Sequence, residues 1–409
     1  AVNDAPVATG SATLTAVLED TAAPTGSTVS SLFTGNFSDI KDTVSGGSSA
    51  NTLSGVVITA NASSSTQGKW QWNNAGTWTD IATSGLSDSS ALFLTAATSI
   101  RFLPATNWNG TPGSLTTRLV DSSVSGLTNG SSINVATNGG TSSYSAANVS
   151  LSTSITAVND APIATGSATL AAVLEDDANP AGSSVSALFG GNFNDSADAV
   201  SGGSSANTLA GVLITSNASS STQGKWQWNN AGTWTDIATS GLSDSSALYL
   251  NAATFIRFLP AADWNGTPGS LTTRLVDSSA SGLSNGSSIN ASTNGGTSSF
   301  SAANVSLSTS ITAVNDAPVA SGSATLAAVL EDTAEPTGST VSSLFSANFS
   351  DSKDNVSGGS SANTLAGVLI TANASSSTQG TWQWNNAGTW TDIPTSGLSD
   401  SSALYLNAA

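Results

Sequence analysis

The stretch KWQWNNAGTWTDI at residues 69–81 has the pattern of a β-hairpin. Trp70 and Trp72 alternate with polar residues, as in a strand that buries one of its two faces. The centre of the stretch, NNAG at residues 73–76, consists of residues that form turns and tolerate positive φ. The sequence therefore predicts two antiparallel strands joined by a tight turn, with Trp70 and Trp72 on the same face.

Apolar and polar residues also alternate on both sides of this hairpin. Further strands are predicted at residues 53–60, 91–95, 99–103, 114–121 and 148–158. Turn-forming stretches such as NWNG at residues 107–110 separate these strands. One short helical turn is predicted at residues 29–33, and no stretch has the apolar spacing of a long helix. The expected fold class is all-β, an antiparallel sandwich.

The hairpin and its surroundings recur along the chain. The string AVNDAP starts at residues 1, 157 and 313, a spacing of 156 residues, and the tryptophans of the hairpin return in the same register. A fixed period of this kind is typical of repeat proteins. We therefore expect three tandem sandwich units, at residues 1–156, 157–312 and 313–409. The third unit is partial, and is either a fragment of a longer chain or a unit completed by another segment.

Composition restricts the possible functions. The chain has 26 acidic and 8 basic residues, a net charge of −18, and no histidine or cysteine. Histidine-based catalytic triads and zinc sites are therefore excluded. Nothing marks a catalytic pair of carboxylates, so we expect that the protein is not an enzyme. The negative charge opposes binding to nucleic acid or anionic membranes and makes cations the natural partners. No apolar run is long enough to span a bilayer.

The same composition favours an extracellular location. The chain is rich in Ser, Thr, Gly and Asn, only 8% of its residues are charged, and disulfides cannot hold it together. It begins without a signal peptide, which predicts an internal piece of a longer secreted polypeptide. Asn-x-Ser/Thr triplets are as frequent as chance predicts in such a chain, so glycosylation is an open expectation.

Several short motifs follow one another in a fixed order. They are AVNDAP at residues 1–6, LED at 18–20, FSD at 37–39, RFLP at 101–104, NWNGT at 107–111 and RLVD at 118–121. Together they resemble the cadherin-like and Ig-like tandem repeats of giant bacterial surface proteins, such as biofilm or RTX-type adhesins with VNDAP-type repeats. The resemblance implies sandwiches strung end to end into an extended rod at the cell surface, often with Ca²⁺ at or near the junctions.

Calcium binds about six to eight oxygen ligands from carboxylates, amide side chains and carbonyls. The candidate ligands of the first unit are Asn3, Asp4, Glu19, Asp39, Asp42 and Asp121. Those of the second unit are Asn159, Asp160, Glu175, Asp195, Asp198 and Asp277, and those of the third are Asn315, Asp316, Glu331, Asp351 and Asp354. Asp20 and Asp176 offer further carboxylates. In a cadherin-like sandwich these residues would meet at one end. The alternative is that they are solvated surface acids and turn formers.

Two functions remain open from the sequence. The first is a structural stalk or filament, rigidified by Ca²⁺ between neighbouring units and able to assemble with other copies by strand addition. The second is a multivalent carbohydrate-binding module, in which exposed aromatic side chains stack on surface glycans. The glycan-stacking candidates are Trp72, Trp78, Trp228, Trp234, Trp384 and Trp390. Core packing is the more common role of such tryptophans.

Overall fold

The structure, a computed structural model, describes residues 2–409. Ala1, the first residue of the predicted first unit, lies outside the described part. Unit 1 contains one short helix, α1 (Val29–Phe33), and 3₁₀ turns at Thr34–Asn36 and Ile40–Asp42. Its strands are β1 (Val7–Ala8), β2 (Ala12–Thr13), β3 (Val17–Leu18), β4 (Ser27–Thr28), β5 (Phe37–Ser38), β6 (Leu53–Asn61), β7 (Gly68–Asn74), β8 (Thr77–Asp80), β9 (Ala91–Thr95), β10 (Ser99–Pro104), β11 (Leu115–Asp121), β12 (Ser132–Ile133), β13 (Val149–Ser152) and β14 (Ile155–Thr156).

Unit 2 repeats this order with helix α2 (Val185–Phe189) and 3₁₀ turns at Gly190–Asn192 and Ser196–Asp198. Its strands are β15 (Ile163–Ala164), β16 (Ser167–Thr169), β17 (Val173–Leu174), β18 (Ser183–Ser184), β19 (Phe193–Asn194), β20 (Leu209–Asn217), β21 (Gly224–Asn230), β22 (Thr233–Asp236), β23 (Ala247–Asn251), β24 (Phe255–Pro260), β25 (Leu271–Asp277), β26 (Ser288–Ile289), β27 (Val305–Ser308) and β28 (Ile311–Thr312).

Unit 3 contains helix α3 (Val341–Phe345), a 3₁₀ turn at Ser346–Asn348 and fewer strands. They are β29 (Val319–Ala320), β30 (Phe349–Ser350), β31 (Gly367–Ile370), β32 (Gln383–Asn386), β33 (Thr389–Asp392) and β34 (Leu404–Asn407). None of the helices in the described residues has the length and apolarity needed to cross a membrane.

The predicted all-β sandwich is confirmed. In unit 1 a six-stranded sheet, in the order β12-β9-β6-β11-β13-β2, faces a four-stranded sheet, in the order β4-β10-β7-β8. The predicted hairpin is β7 and β8, paired antiparallel with Gln71 opposite Asp80 and Asn73 opposite Trp78. The helical turn lies at the predicted residues, and it begins there because Thr28 Oγ1 accepts a hydrogen bond from Ser31 N at 3.2 Å.

Two strand pairs depart from the antiparallel expectation. β13 pairs with β2 in parallel, and β14 pairs with β3 in parallel. The predicted strand at residues 148–158 is also divided, because the buried Thr153 turns its side chain to the carbonyl of Thr15 between β13 and β14. The first and last strands of a unit run in the same direction when the chain enters at one end and leaves at the other. This arrangement allows the next unit to start where the previous one stops.

Each complete unit has its own apolar core. In unit 1 the fully buried Trp70 and Phe102 meet edge to face, with ring centroids 5.2 Å apart. The largest buried cluster of unit 1 lies within residues 8–155, and that of unit 2 lies within residues 164–311. Since neither cluster takes a residue from the other unit, the contact between units is separate from both cores.

Unit 3 exposes side chains that are buried in the other two units. Trp382 is 53% exposed, whereas its equivalents Trp70 and Trp226 are fully buried. In unit 1 the strands that cover this face, β10, β11 and β13, come from residues 99–152. Unit 3 has no counterpart of these strands within the described residues, so its sheet faces are open.

Candidate metal centre at the junctions between units

Five polar residues of unit 2, three of them buried and two partly buried, form a group at the end that faces unit 1. This head cluster consists of Asn159, Asp195, Asp198, Asn207 and Asp277. The 3₁₀ turn Ser196–Asp198 holds the two nearby aspartates, which are each 5% exposed. Asn207 Nδ2 donates to Asn159 Oδ1 at 2.9 Å and to Asp198 Oδ2 at 2.7 Å. Asn159 Nδ2 lies 3.4 Å from Asp277 Oδ2, on the end of β25.

One carboxylate oxygen of the head cluster has no partner. Asp195 Oδ2 accepts a hydrogen bond from Asn207 N at 2.5 Å, but Asp195 Oδ1 is buried and unpaired. The pKa of Asp195 is raised mainly by burial, and the negative charges of Asp198 and Asp277 raise it further. A buried carboxylate oxygen without a hydrogen-bond partner is unfavourable. A hard cation that prefers oxygen ligands would relieve this cost.

A second acidic group lies across the junction. This bridge cluster consists of Glu19, Asp20 and Asn107 of unit 1 with Asp160 of unit 2. Asp160 Oδ2 is buried and has no hydrogen-bond partner. Burial, followed by the charge of Asp20 and then of other nearby carboxylates, raises the pKa of Asp160 to about 6. Carboxylates from two units therefore face each other at the point where the chain passes between them.

Unusual backbone positions bring the bridge cluster together. Asp20 has a φ of 61° and Asn107 a φ of 55°, a left-handed conformation that Asp and Asn adopt more readily than most residues. Asp20 Oδ1 accepts a hydrogen bond from Asn107 N at 2.8 Å. Glu19 is 4% exposed, and its Oε1 accepts a hydrogen bond from Val158 N at 2.5 Å. The linker between the units is thus fixed to unit 1 by a carboxylate.

A direct hydrogen-bonded contact, the clasp, accompanies the acidic residues. It consists of Asn109 of unit 1 and Ser204 of unit 2. Asn109 Nδ2 donates to Ser204 Oγ at 2.8 Å and to Glu19 Oε2 at 2.9 Å, and Ser204 N donates to Asn109 Oδ1 at 2.7 Å. Gly203 is required beside the clasp, because a Cβ atom there would meet the side chain and the backbone carbonyl of Asn109.

The junction between units 2 and 3 repeats this geometry with two changes. Its clasp is Asn265 with Ser360, and Asp263 replaces Asn107. Carboxylate oxygens of Asp176, Asp263 and Asp316 all lie within 4.8 Å of one another. Lys353, which occupies the position of Ala197, places its Nζ atom 3.4 Å from Asp263 Oδ1 and 3.5 Å from Asp316 Oδ1. The hydrogen bond to Asp263 is the main cause that raises the pKa of the Lys353 ammonium.

Most of the predicted ligands come together at these places. The equivalents of the head cluster bring together Asn3, Asp39, Asp42 and Asp121 in unit 1 and Asn315, Asp351 and Asp354 in unit 3. Asp4 and Asp316, the equivalents of Asp160, donate a backbone hydrogen bond to Asp42 and Asp354. Glu175 repeats Glu19 by accepting hydrogen bonds from Asn265 and Val314. Glu331 differs from Glu19 and Glu175 because it is exposed.

The amides and the hydroxyl group that complete the junctions were not among the predicted ligands. The NWNG stretch was interpreted only as a turn, although Asn107 belongs to the bridge cluster and Asn109 to the clasp. Its return at residues 263–266 as DWNG, with one added carboxylate, was the available signal. Nothing in the sequence distinguished Asn207 or Ser204 from the many other Asn and Ser residues.

The tryptophans proposed for glycan stacking are occupied by protein contacts in the complete units. Trp72 is 5% exposed and Trp228 is 6% exposed. The guanidinium group of Arg101 lies 4.2 Å from the centroid of the Trp78 ring, and Arg257 lies 4.1 Å from that of Trp234. The carbohydrate alternative gains no support from this geometry.

The buried arginines have structural roles. Arg101 Nε donates to Gln71 Oε1 at 2.8 Å, beneath the Trp78 ring. Arg118 forms two hydrogen bonds with the carboxylate of Asp88, at 3.0 and 2.9 Å, and donates to the carbonyl of Ser145 at 3.1 Å. Asp88 is therefore bound to the sandwich rather than to the junction, and it differs from the acids of the head cluster in having a cationic partner.

Comparison with known proteins gives little further information. No protein-family model matches this chain, and no curated protein sequence matches it. Among solved structures, the chain is similar to one described as "Protocadherin Gamma B2 extracellular cadherin domains 1-5", with 13% sequence identity and a TM-score of 0.22. The similar region covers 77% of this chain and 61% of the other, so this chain spans less than two thirds of that protein's length.

Proposed function

We propose that this chain is the structural repeat region of an extracellular bacterial surface protein, a stalk or filament whose junctions are made rigid by Ca²⁺. The observation that carries the proposal is the set of buried, unpaired carboxylate oxygens at the ends of the units: those of Asp39, Asp195 and Asp351 in the head clusters, and those of Asp160 and Asp316 across the junctions. Structural acids with an ordinary role would have hydrogen-bond donors or cationic partners in these positions.

The donor set fits a hard cation. At the first junction, Glu19, Asp20 and Asp160 would hold an ion between the units, and Asp195 and Asp198 would hold one just behind it. Calcium would supply positive charge and accept oxygen ligands in flexible geometry. The residues themselves anchor the linker, since Asp198 Oδ1 accepts the hydrogen bond of Asp160 N at 3.0 Å. Neutralising these carboxylates removes the repulsion that drives the two units apart.

The clasp occurs at both junctions, and this repetition supports the proposal of an extended rod. Unit 1 offers Asn109 to Ser204 of unit 2, and unit 2 offers Asn265 to Ser360 of unit 3. Each unit therefore uses one surface toward the unit before it and a different surface toward the unit after it. Contacts of this heterologous kind produce an open chain of units when their rotation does not close a ring.

The experiment is a Ca²⁺ titration of the full chain by calorimetry, combined with its particle length from small-angle scattering. We expect binding in or below the range of about 0.1–1 mM that is typical of extracellular calcium modules. Asp195→Asn should reduce the amount of Ca²⁺ bound, and the matched control Asp80→Asn, an exposed acid of the hairpin, should not. A chain that binds no Ca²⁺ and keeps the same length in EDTA would contradict the proposal.

The open faces of unit 3 favour assembly by strand addition as a second property. Trp382 and Leu369 are 53% and 64% exposed, whereas the equivalent Trp226 and Leu213 are fully buried. The segment that covers these positions in unit 2 is residues 254–312. A synthetic peptide with that sequence should bind unit 3 and shift the fluorescence of Trp382 to shorter wavelength. A scrambled peptide is the control, and an unchanged spectrum with both peptides would argue against strand addition.

A further inference from the structure

We infer that Lys353 acts as a built-in substitute cation at the second junction, where its ammonium group competes with a divalent ion and links units 2 and 3 when that ion is absent. The inference rests on the proposed function, because it concerns the regulation of the same sites. It predicts that the two junctions, although nearly identical in sequence, respond to different concentrations of Ca²⁺.

The two junctions differ in charge at a pair of positions that face each other. At the first junction the two positions are occupied by Asn107 of unit 1 and Ala197 of unit 2, and both residues are neutral. At the second junction the same positions hold Asp263 and Lys353, which form an ion pair across the junction. The second junction therefore has one acid and one base more than the first, one on each side of the contact.

The paired change leaves the net charge of the bridge cluster unaltered. At the first junction the charged residues are the carboxylates of Glu19, Asp20 and Asp160, with a formal charge of −3. At the second junction there are four carboxylates, of Glu175, Asp176, Asp263 and Asp316, and the ammonium of Lys353, so the formal charge is also −3. The second junction therefore has one carboxylate more than the first, and the ammonium group of Lys353 offsets the added negative charge.

The geometry allows the ammonium group to enter and leave. The side chain of Lys353 is 52% exposed, so it approaches the carboxylates from the solvent side. Its Nζ atom lies 3.4 and 3.5 Å from two different carboxylates and is not fixed to either by a short contact. A lysine ammonium is a compact charge on a flexible stem. It can thus move into solvent when a divalent ion binds among the three carboxylates.

This arrangement has opposite effects in the absence and presence of Ca²⁺. Without the ion, Lys353 bridges from unit 3 to Asp263 of unit 2, and the first junction has no equivalent bridge at Ala197. With the ion, the ammonium is a like charge that must be displaced, which weakens binding. The second junction should therefore stay ordered at Ca²⁺ concentrations at which the first has become mobile.

The test uses the full chain with the bridge cluster of the first junction disabled by a substitution. Asp160→Asn disables the first bridge cluster, and Ca²⁺ titration with and without Lys353→Ala then reports a change at the second bridge cluster against head clusters that are the same in both variants. We expect the substitution to tighten Ca²⁺ binding at the second junction by roughly tenfold, from loss of one partly exposed like charge acting on a divalent ion. The control Lys225→Ala removes an exposed lysine that pairs with Asp236, away from the junction, and should leave the affinity unchanged.

A second measurement reports on the state without the ion. Because the chain contains no cysteine, spin labels at Ser240→Cys and Ser396→Cys, both exposed, give the distance distribution between units 2 and 3. In EDTA this distribution should broaden with Lys353→Ala and not with Lys225→Ala. Equal Ca²⁺ affinity with and without Lys353 would overturn the inference. Absence of Ca²⁺ binding at both junctions of the unaltered chain would be the separate failure of the proposed function.

Discussion

Replacing the unpaired carboxylate of each head cluster by an amide should change stability in opposite directions with and without Ca²⁺. The variant carries Asp39→Asn, Asp195→Asn and Asp351→Asn together, so that all three units shift alike. In EDTA each substitution removes a buried charge whose Oδ1 atom has no partner. The new amide keeps an oxygen for the backbone donor, Asn207 N in unit 2, that binds Oδ2. Its nitrogen can donate toward the remaining carboxylates.

The size of the effect follows from the cost of an unsatisfied buried group, about 1–3 kcal/mol. We take the lower end, about 1 kcal/mol per unit, because the amide itself must also be desolvated. For a unit of this size that corresponds to a rise in Tm of about 2–4 °C in EDTA. In saturating Ca²⁺ the variant has lost a ligand in every unit. The stabilisation by bound ion, about 2.7 kcal/mol at one hundred times Kd, is then reduced, and the Tm should fall below that of the unaltered chain.

Differential scanning calorimetry in EDTA and in Ca²⁺ provides the measurement. Asp80→Asn is the control, because the pKa of Asp80 is lowered by its hydrogen bonds to Gln71 and Lys69. That carboxylate is favourable in the folded state, so its loss should lower stability slightly in both conditions. A triple variant that is destabilised equally with and without Ca²⁺ would refute the reasoning, since it would mean that the unpaired oxygens carry no cost.

Three further predictions concern the junction and the sandwich separately. Gly203→Ala would place a Cβ atom against Asn109. It should broaden the distribution of distances between units 1 and 2 in spin-label measurements and leave the Tm of each unit unchanged. A lower Tm would contradict the separation of junction and core. Asp88→Asn removes the carboxylate partner of the buried Arg118 and should cost about 1–3 kcal/mol in thermal unfolding, and a neutral result would contradict this. In EDTA, stability should rise as pH falls through about 6 toward 3.8, because the folded-state pKa of Asp160 is raised and protonation removes an unfavourable charge. Asp160→Asn should reduce this rise in a pH series of melting curves, and Asp39 and Asp195, whose pKa values are also raised, should supply the remainder; an undiminished rise would contradict the role of Asp160.

The local elements of the fold could be predicted from the sequence. Strand β9 lies at the predicted residues, and the hairpin and the helical turn follow their patterns, because alternation and turn chemistry act over a few neighbouring residues. The parallel pairing of β2 with β13 was not predictable in this way. It joins the two ends of a unit and depends on the direction in which the whole chain passes through the sandwich.

Contacts between distant residues also limited the prediction of the junction residues. The acidic candidates could be named because Asp and Glu are few and carry obvious charge. Asn109 could not, since its role depends on Glu19, 90 residues away, and on Ser204, 95 residues away in the next unit. The position of Lys353 varies between units, with Lys41 in unit 1 and Ala197 in unit 2. The structure shows that this variation is matched by Asp263 on the opposite side.

The unpaired carboxylate oxygens lie at the ends of the units, outside both apolar cores. The cores of units 1 and 2 use separate residues, so opening the contact between them exposes little apolar surface and leaves each sandwich intact. The contact itself consists of hydrogen bonds such as that of Asn109 with Ser204, and of carboxylates that repel one another unless a cation is bound. Bending and unfolding are therefore controlled by different residues. We therefore expect removal of Ca²⁺ to shorten the particle by bending it at the junctions, well below the temperature at which any unit unfolds.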